Sequence, residues 1–253
     1  MKMHVLSGGR CRMRRSIYIP DADKGEMIDL PVLSMLLRHP KGNVLFDTGC
    51  HPSAASNPEE RWGGLAKFMT PVMGPNDNVI SGLKAVGLGP DDIDVVVCSH
   101  LHTDHCGCNE FFKRATIIVN AKELKAAKAS ESTMTGYVPA DWENGQAMKT
   151  VDGQDDIFGD GRITLVPLPG HTVGTMGALV RLDRSGEFLL ASDAVSLRVN
   201  LDQNTVPKNT KDADLFLKTF AEIRRIEAKG ATIICGHDDA QWQSLRKGAD
   251  AYD

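Results

Sequence analysis

Short apolar runs rich in valine, isoleucine and leucine recur along the chain, and each breaks off at a histidine or an aspartate. "DVVVCSH" reaches His100, "ITLVPLPGH" reaches His171, "EFLLASD" reaches Asp193, "TIICGH" reaches His237 and "NVLFDTG" leads to Asp47. Runs of this length bounded by Gly, Pro or charge predict buried strands. The polar residue at each C-terminal end then emerges at one rim of a sheet, where loops on a rigid scaffold carry chemistry. Helical spacing separates the runs. "NDNVISGLKAVG" places Val79, Ile80, Leu83 and Val86 on one face, with Asn76 and Asp77 as capping residues and Gly87 as the stop. "NAKELKAAKA" from Asn120 predicts a second helix. "DADLFLKTFAEIRRIEAKG" predicts the strongest, with Leu215, Phe216, Phe220, Ile223 and Ile226 in a stripe and Gly230 at the C-terminal cap. Interleaved strands and helices predict an α/β layered domain. The weakly patterned stretches 51–75 and 130–161 are expected to form the surfaces around the rim.

Composition narrows this picture. A chain of 253 residues, 42% hydrophobic and 25% charged, is expected to fold as a single domain over residues 1–253. A net charge of −4 supplies no basic surface for a phosphate backbone, so nucleic acid is not an expected partner. The start, "MKMHVLSGGRCRMRR", lacks the apolar stretch of a secretory signal, and no run is long enough to span a membrane. The expectation is a cytoplasmic protein, monomer or homodimer, with no membrane partner. Its six scattered cysteines read as buried thiols; Cys106 and Cys108 are alternative metal ligands beside a set that is already complete.

The candidate chemistry is concentrated in "HLHTDHCG", residues 100–107. Three of the eight histidines and one aspartate fall within six positions there. On a loop turning from strand to helix, His100 and His102 project to one side, Asp104 and His105 to the other. Imidazole and carboxylate suit zinc and other borderline metals. With the distal His171, Asp193 and His237 the set reaches seven, enough for two divalent ions, zinc first among them, sharing a carboxylate.

"HLHTDH", "PGHTVG", "SDA" and "GHD", with "FDTG" upstream, resemble the metallo-β-lactamase superfamily from about Val32 to Asp238. Within it the chain is similar to N-acyl-homoserine lactonases through "GGRC", "DLPV" and "LGPDDIDVVVCSHLHTDHCGCNEFF". The resemblance implies a four-layer αββα sandwich, one metal held by His100, His102 and His171, the other by Asp104, His105 and His237, with Asp193 bridging. One departure stands out. Such lactonases usually carry a tyrosine three residues beyond the bridging aspartate, where this chain has Ser196. Ser196 is expected to assist the reaction only through a water; Tyr18 and Tyr137 are the alternative sources of a phenol.

The expected reaction is opening of a small-molecule lactone or related ester by hydroxide shared between the two ions. N-acyl-homoserine lactones, the quorum-quenching substrates, come first, and Asp104 shuttles the proton to the leaving oxygen. Asp47 is a candidate partner for a ligating histidine. Trp62, Phe68, Met69 and Tyr137 are the candidate substrate-binding residues. If Arg10, Arg12, Arg14 or Arg15 faced inward, a carboxylate-bearing substrate would be favoured; a solvated edge strand is the plainer expectation. The same scaffold acting on a small carboxylated lactone, a thioester or a phosphodiester is the alternative. A β-lactam hydrolase fits less well because those enzymes lack a bridging aspartate at the Asp193 place. A redox di-iron protein would have an acidic residue where His102 stands. A non-enzymatic module would have lost ligands, and none is lost.

Overall fold

A computed structural model describes residues 1–253. Seven strands form the first sheet, in the order β4 (Thr70–Pro71), β1 (Lys2–Arg14), β2 (Met27–His39), β3 (Gly42–Phe46), β5 (Val95–Val97), β6 (Thr116–Asn120) and β7 (Met148–Val151). Five form the second, in the order β12 (Thr232–Cys235), β11 (Gly186–Ser192), β10 (Met176–Leu182), β9 (Ile163–Pro167) and β8 (Asp155–Asp156).

Side-chain alternation stacks the layers. Met35, Leu37, Val44, Phe46 and Leu190 point between the sheets and meet Leu165, Ala178 and Ile234 in one buried cluster. Their neighbours in sequence, Leu36 and Leu45, point outward beneath the helices Val79–Ala85 and Ala121–Lys128. Leu189 and Ala191 likewise point outward under Phe216, Phe220 and Ile223 of the helix Ala213–Glu227. A period of two, apolar on both faces, requires cover on both faces. Helix, sheet, sheet, helix is therefore the layer order, and the expected αββα sandwich is what forms.

The punctuated strands run in concert. β3, β5 and β6 are parallel neighbours. β9 and β11 are both antiparallel to β10, and β12 is parallel to β11, so β9, β11 and β12 share one direction. Their C-terminal ends meet at one rim, where the Ser99 and Ser192 hydroxyls lie 2.8 Å apart and the Met176 N–H donates to the Ser99 carbonyl at 2.8 Å.

The three predicted helices form, with one cap corrected. Asn78, rather than Asn76 or Asp77, caps Val79–Ala85 by accepting from the Ser81 N–H at 3.0 Å. Asn120 and Asp212 cap the other two, and Leu215 is half-buried beside the fully buried stripe. The arginines are turned to ion pairs at the surface: Arg10 with Asp239 at 2.8 Å, Arg12 with Asp29 at 2.5 Å, and Arg15 with Glu26. All six cysteines are free and buried. No helix is long and apolar enough to cross a membrane.

Candidate metal centre

Each strand end delivers its side chain through a specific local device. β5 leads through Ser99 to His100, and the one-turn helix Thr103–Cys106 carries Asp104 and His105. After β9, Gly170 at φ +139° brings the His171 loop against the backbone of Phe216, where a Cβ would lie 2.5 Å from its Cα. After β12, Gly236 lets the chain pass so close to Asp193 that a Cβ would lie 2.6 Å from Oδ1. Asp193 itself follows Ser192, held at φ +48°.

All seven expected ligands converge. Three groups have one ligand atom each within 4.8 Å of the others: His100, His102 and His171; His100, His105 and Asp193; Asp104, His105 and His237. Asp193 stands between the outer two. Its Oδ2 is 3.4 Å from His171 Nε2, and its Oδ1 is 2.9 Å from His237 Nε2 and 3.4 Å from His105 Nε2. Asp104 Oδ2 is 3.6 Å from both His105 Nε2 and His237 Nε2.

The far side of each ring sets its tautomer. His237 Nδ1 lies 2.9 Å from the Pro31 carbonyl, which can only accept, so Nδ1 carries the proton and Nε2 offers a lone pair. His105 Nδ1 lies 2.9 Å from Asp47 Oδ2. Asp47 also accepts from the Ser99 N–H at 2.7 Å and the Ser99 hydroxyl at 2.8 Å, so the "DTG" aspartate orients His105 through its ring N–H.

This donor set fits divalent ions. Nε2 of His100 is buried with no hydrogen-bond partner, and the buried Nε2 atoms of His105 and His237 face only the carboxylates of Asp104 and Asp193. Stranding even one such atom costs about 1–3 kcal/mol, so a cluster of them aimed at common points calls for cations. Burial holds His102 and His171 down to about 4, keeping both imidazoles neutral. Burial also opposes charge on His105 and His237, but the adjacent carboxylates outweigh it and raise both. Protons therefore compete with a metal ion for these two rings.

The centre opens into a cavity of about 970 Å³, near the upper end for a ligand site. Its floor includes His102, Asp104, His171 and Asp193; its apolar wall is built from Met13, Leu65, Phe68, Met69, Met134 and Val173. Phe68 and Met134 are about half exposed at the mouth. Phe68, Met69 and Tyr137 thus line the cavity as expected from their positions. Trp62 and Ser196 do not. Trp62 is wholly buried and anchors the 51–75 loop to a core that includes Leu30 and Val32. Ser196 is also wholly buried; its carbonyl accepts the His237 N–H at 2.9 Å, while its hydroxyl never reaches the cavity. Cys106 and Cys108 point into the core beneath the helices and join none of the ligand groups.

Glu123 is the residue that sequence reasoning missed. Wholly buried, it accepts from the Leu101 N–H and the Tyr137 hydroxyl, each at 3.0 Å, and from the Thr172 hydroxyl at 2.6 Å and the Gly174 N–H at 3.2 Å. It ties the His100–His102 loop to the His171 loop. Its signal was faint: it shares the inner face of a lysine-rich helix with Ala127, four residues on. Glu123→Ala leaves four donors without an acceptor and is expected to cost about 3 kcal/mol or more of stability, read as a lowered urea midpoint. Gly136 adds a steric constraint, since at φ +92° a Cβ there would lie 2.6 Å from the His102 ring.

Residues 27–237 match the family model of the metallo-beta-lactamase superfamily. The chain belongs to the metallo-β-lactamase superfamily. Its similarity to lactonases of that superfamily runs the full length. It is 31% identical to the N-acyl homoserine lactonase AttM of Azorhizobium caulinodans over 100% of this chain and 99% of that protein. An N-acyl homoserine lactonase of Bacillus sp is 32% identical, with 95% of this chain and 94% of that one covered. An N-acyl homoserine lactone hydrolase solved with N-hexanoyl-L-homoserine at its catalytic metal centre superposes with a TM-score of 0.90 at 28% identity, covering 99% and 98% of the two chains. A metallo-β-lactamase fold with such relatives is that of a metal-dependent hydrolase.

Proposed function

We propose that this metallo-β-lactamase-fold chain hydrolyses the lactone ring of N-acyl homoserine lactones with two zinc ions. His100, His102 and His171 would hold one ion and Asp104, His105 and His237 the other, with the Asp193 carboxylate facing both groups. The observation that carries the reading is the placement of this seven-ligand cluster at the floor of a cavity with an apolar wall. Six free, buried thiols suit the reducing cytoplasm.

Ions so held supply Lewis acidity toward a carbonyl oxygen and a hydroxide nucleophile at neutral pH. The chain's own residues do the rest. Leu65, Phe68, Met69 and Met134 take the acyl chain by apolar contact and fix the ring over Asp193. Asp104, whose carboxylate borders both the ligand cluster and the cavity, carries the proton to the leaving oxygen. His105 and His237 stay fixed by Asp47 and Pro31. The arginines of β1 turn outward to surface carboxylates, so the cations that border the cavity are Lys208 and Lys211.

Zinc-loaded protein assayed on homoserine lactones of increasing acyl length, a thioester and a bis-aryl phosphate tests this. Lactones are expected to give the highest kcat/KM, rising with acyl length. A protein silent toward every lactone would overturn the proposal.

A further inference from the structure

One phenol in the cavity lacks a strong acceptor. Tyr18 closes the short helix Arg15–Tyr18 and lines the same cavity as His102, Asp104, His171 and Asp193. Its ring stands edge-on to His237, with centroids 6.4 Å apart, so it borders the Asp104, His105 and His237 side of the centre. The hydroxyl donates to the thioether of Met13, at 3.3 Å, while its oxygen accepts from the Asn209 side chain. A thioether is a weak acceptor, so little is lost when this O–H turns to a better one. The other phenol is engaged: Tyr137 donates to the Glu123 carboxylate at 3.0 Å.

The scaffold also fixes where Tyr18 stands. The buried Asn200 side chain donates to the Tyr18 carbonyl at 2.8 Å, and the Lys208 N–H donates to the Ile17 carbonyl at 2.7 Å. Two separate segments thus pin the one-turn helix, and a donor held in place acts without reorganising as charge develops. Ser196 cannot serve, because its hydroxyl is sealed away from the cavity.

We propose that Tyr18 is a catalytic residue: its phenolic O–H hydrogen-bonds the substrate oxygen that takes up negative charge when the ester bond is attacked. The O–H stays intact, so no proton is consumed. The inference rests on the hydrolytic reading above.

Tyr18→Phe removes a single oxygen and keeps the ring against His237. It is assayed on whichever carboxylic ester or lactone the wild type turns over fastest, with bound metal measured in parallel. Loss of one such donor is expected to lower kcat about 100-fold with KM within about threefold and metal content unchanged. A kcat within about twofold of wild type would overturn the role, as would a fall that tracks lost metal or a change confined to KM. A wild type inactive on lactones but active on another ester would instead overturn only the substrate assignment, with the Tyr18 comparison still decided on that ester.

Discussion

Asp193→Ala is expected to lower lactone turnover by at least about a thousandfold, equivalent to about 4 kcal/mol in the barrier, and to leave less than a full pair of ions bound. Asp193 faces both halves of the centre: one oxygen lies 3.4 Å from His171 and the other 2.9 Å from His237. On the proposed reading, alanine removes the carboxylate that two neighbouring cations would share. Steady-state kinetics and metal analysis on the same preparation check the prediction. A variant with normal turnover and a full pair of ions would show that the carboxylate is not shared.

Stripping the metal is expected to have the second largest effect, on the fold itself. The ligand atoms are buried and belong to loops from both sheets, so the folded chain alone presents them together. An ion at a thousandfold excess over its Kd adds about 4 kcal/mol to the folded state. Chelation should therefore lower the thermal midpoint by on the order of 10 °C for a chain of this size, and added zinc should restore it. The pH dependence has a definite sign. Burial lowers His105 and His237 but their carboxylate neighbours outweigh it and raise both, so protons compete with metal for these rings more strongly as the pH falls. Raising the pH removes this competition, and a chelator should strip the protein more readily at about pH 6 than at about pH 8. A midpoint indifferent to chelation would mean that the loops are held by the protein alone.

The centre was legible because its ligands sit where strands stop. A buried strand reads as an apolar run, and a histidine or aspartate ending it has few places to go except the rim, so His100, His171, Asp193 and His237 could be placed without knowing the strand order. Other features have no such marker. Trp62 lies in a loop, where an aromatic reads equally as a pocket wall or as the anchor it is. Ser196 is near Asp193 in sequence, but the single turn of 3₁₀ helix after Asp193 faces its side chain inward. Asn76, Asp77 and Asn78 are all capping types, and only the backbone decides that Asn78 is the cap. Glu123 is hidden in a helix whose other charges face water. Tyr18 is brought to the cavity by a one-turn helix too short for any periodicity to show.

The most direct test of a centre built around one shared carboxylate is an anomalous-scattering map at the zinc edge from crystals of the zinc-loaded protein. Two peaks are expected, one beside His100, His102 and His171 and one beside Asp104, His105 and His237, with Asp193 between them. A single peak, or two peaks that do not flank Asp193, would contradict it.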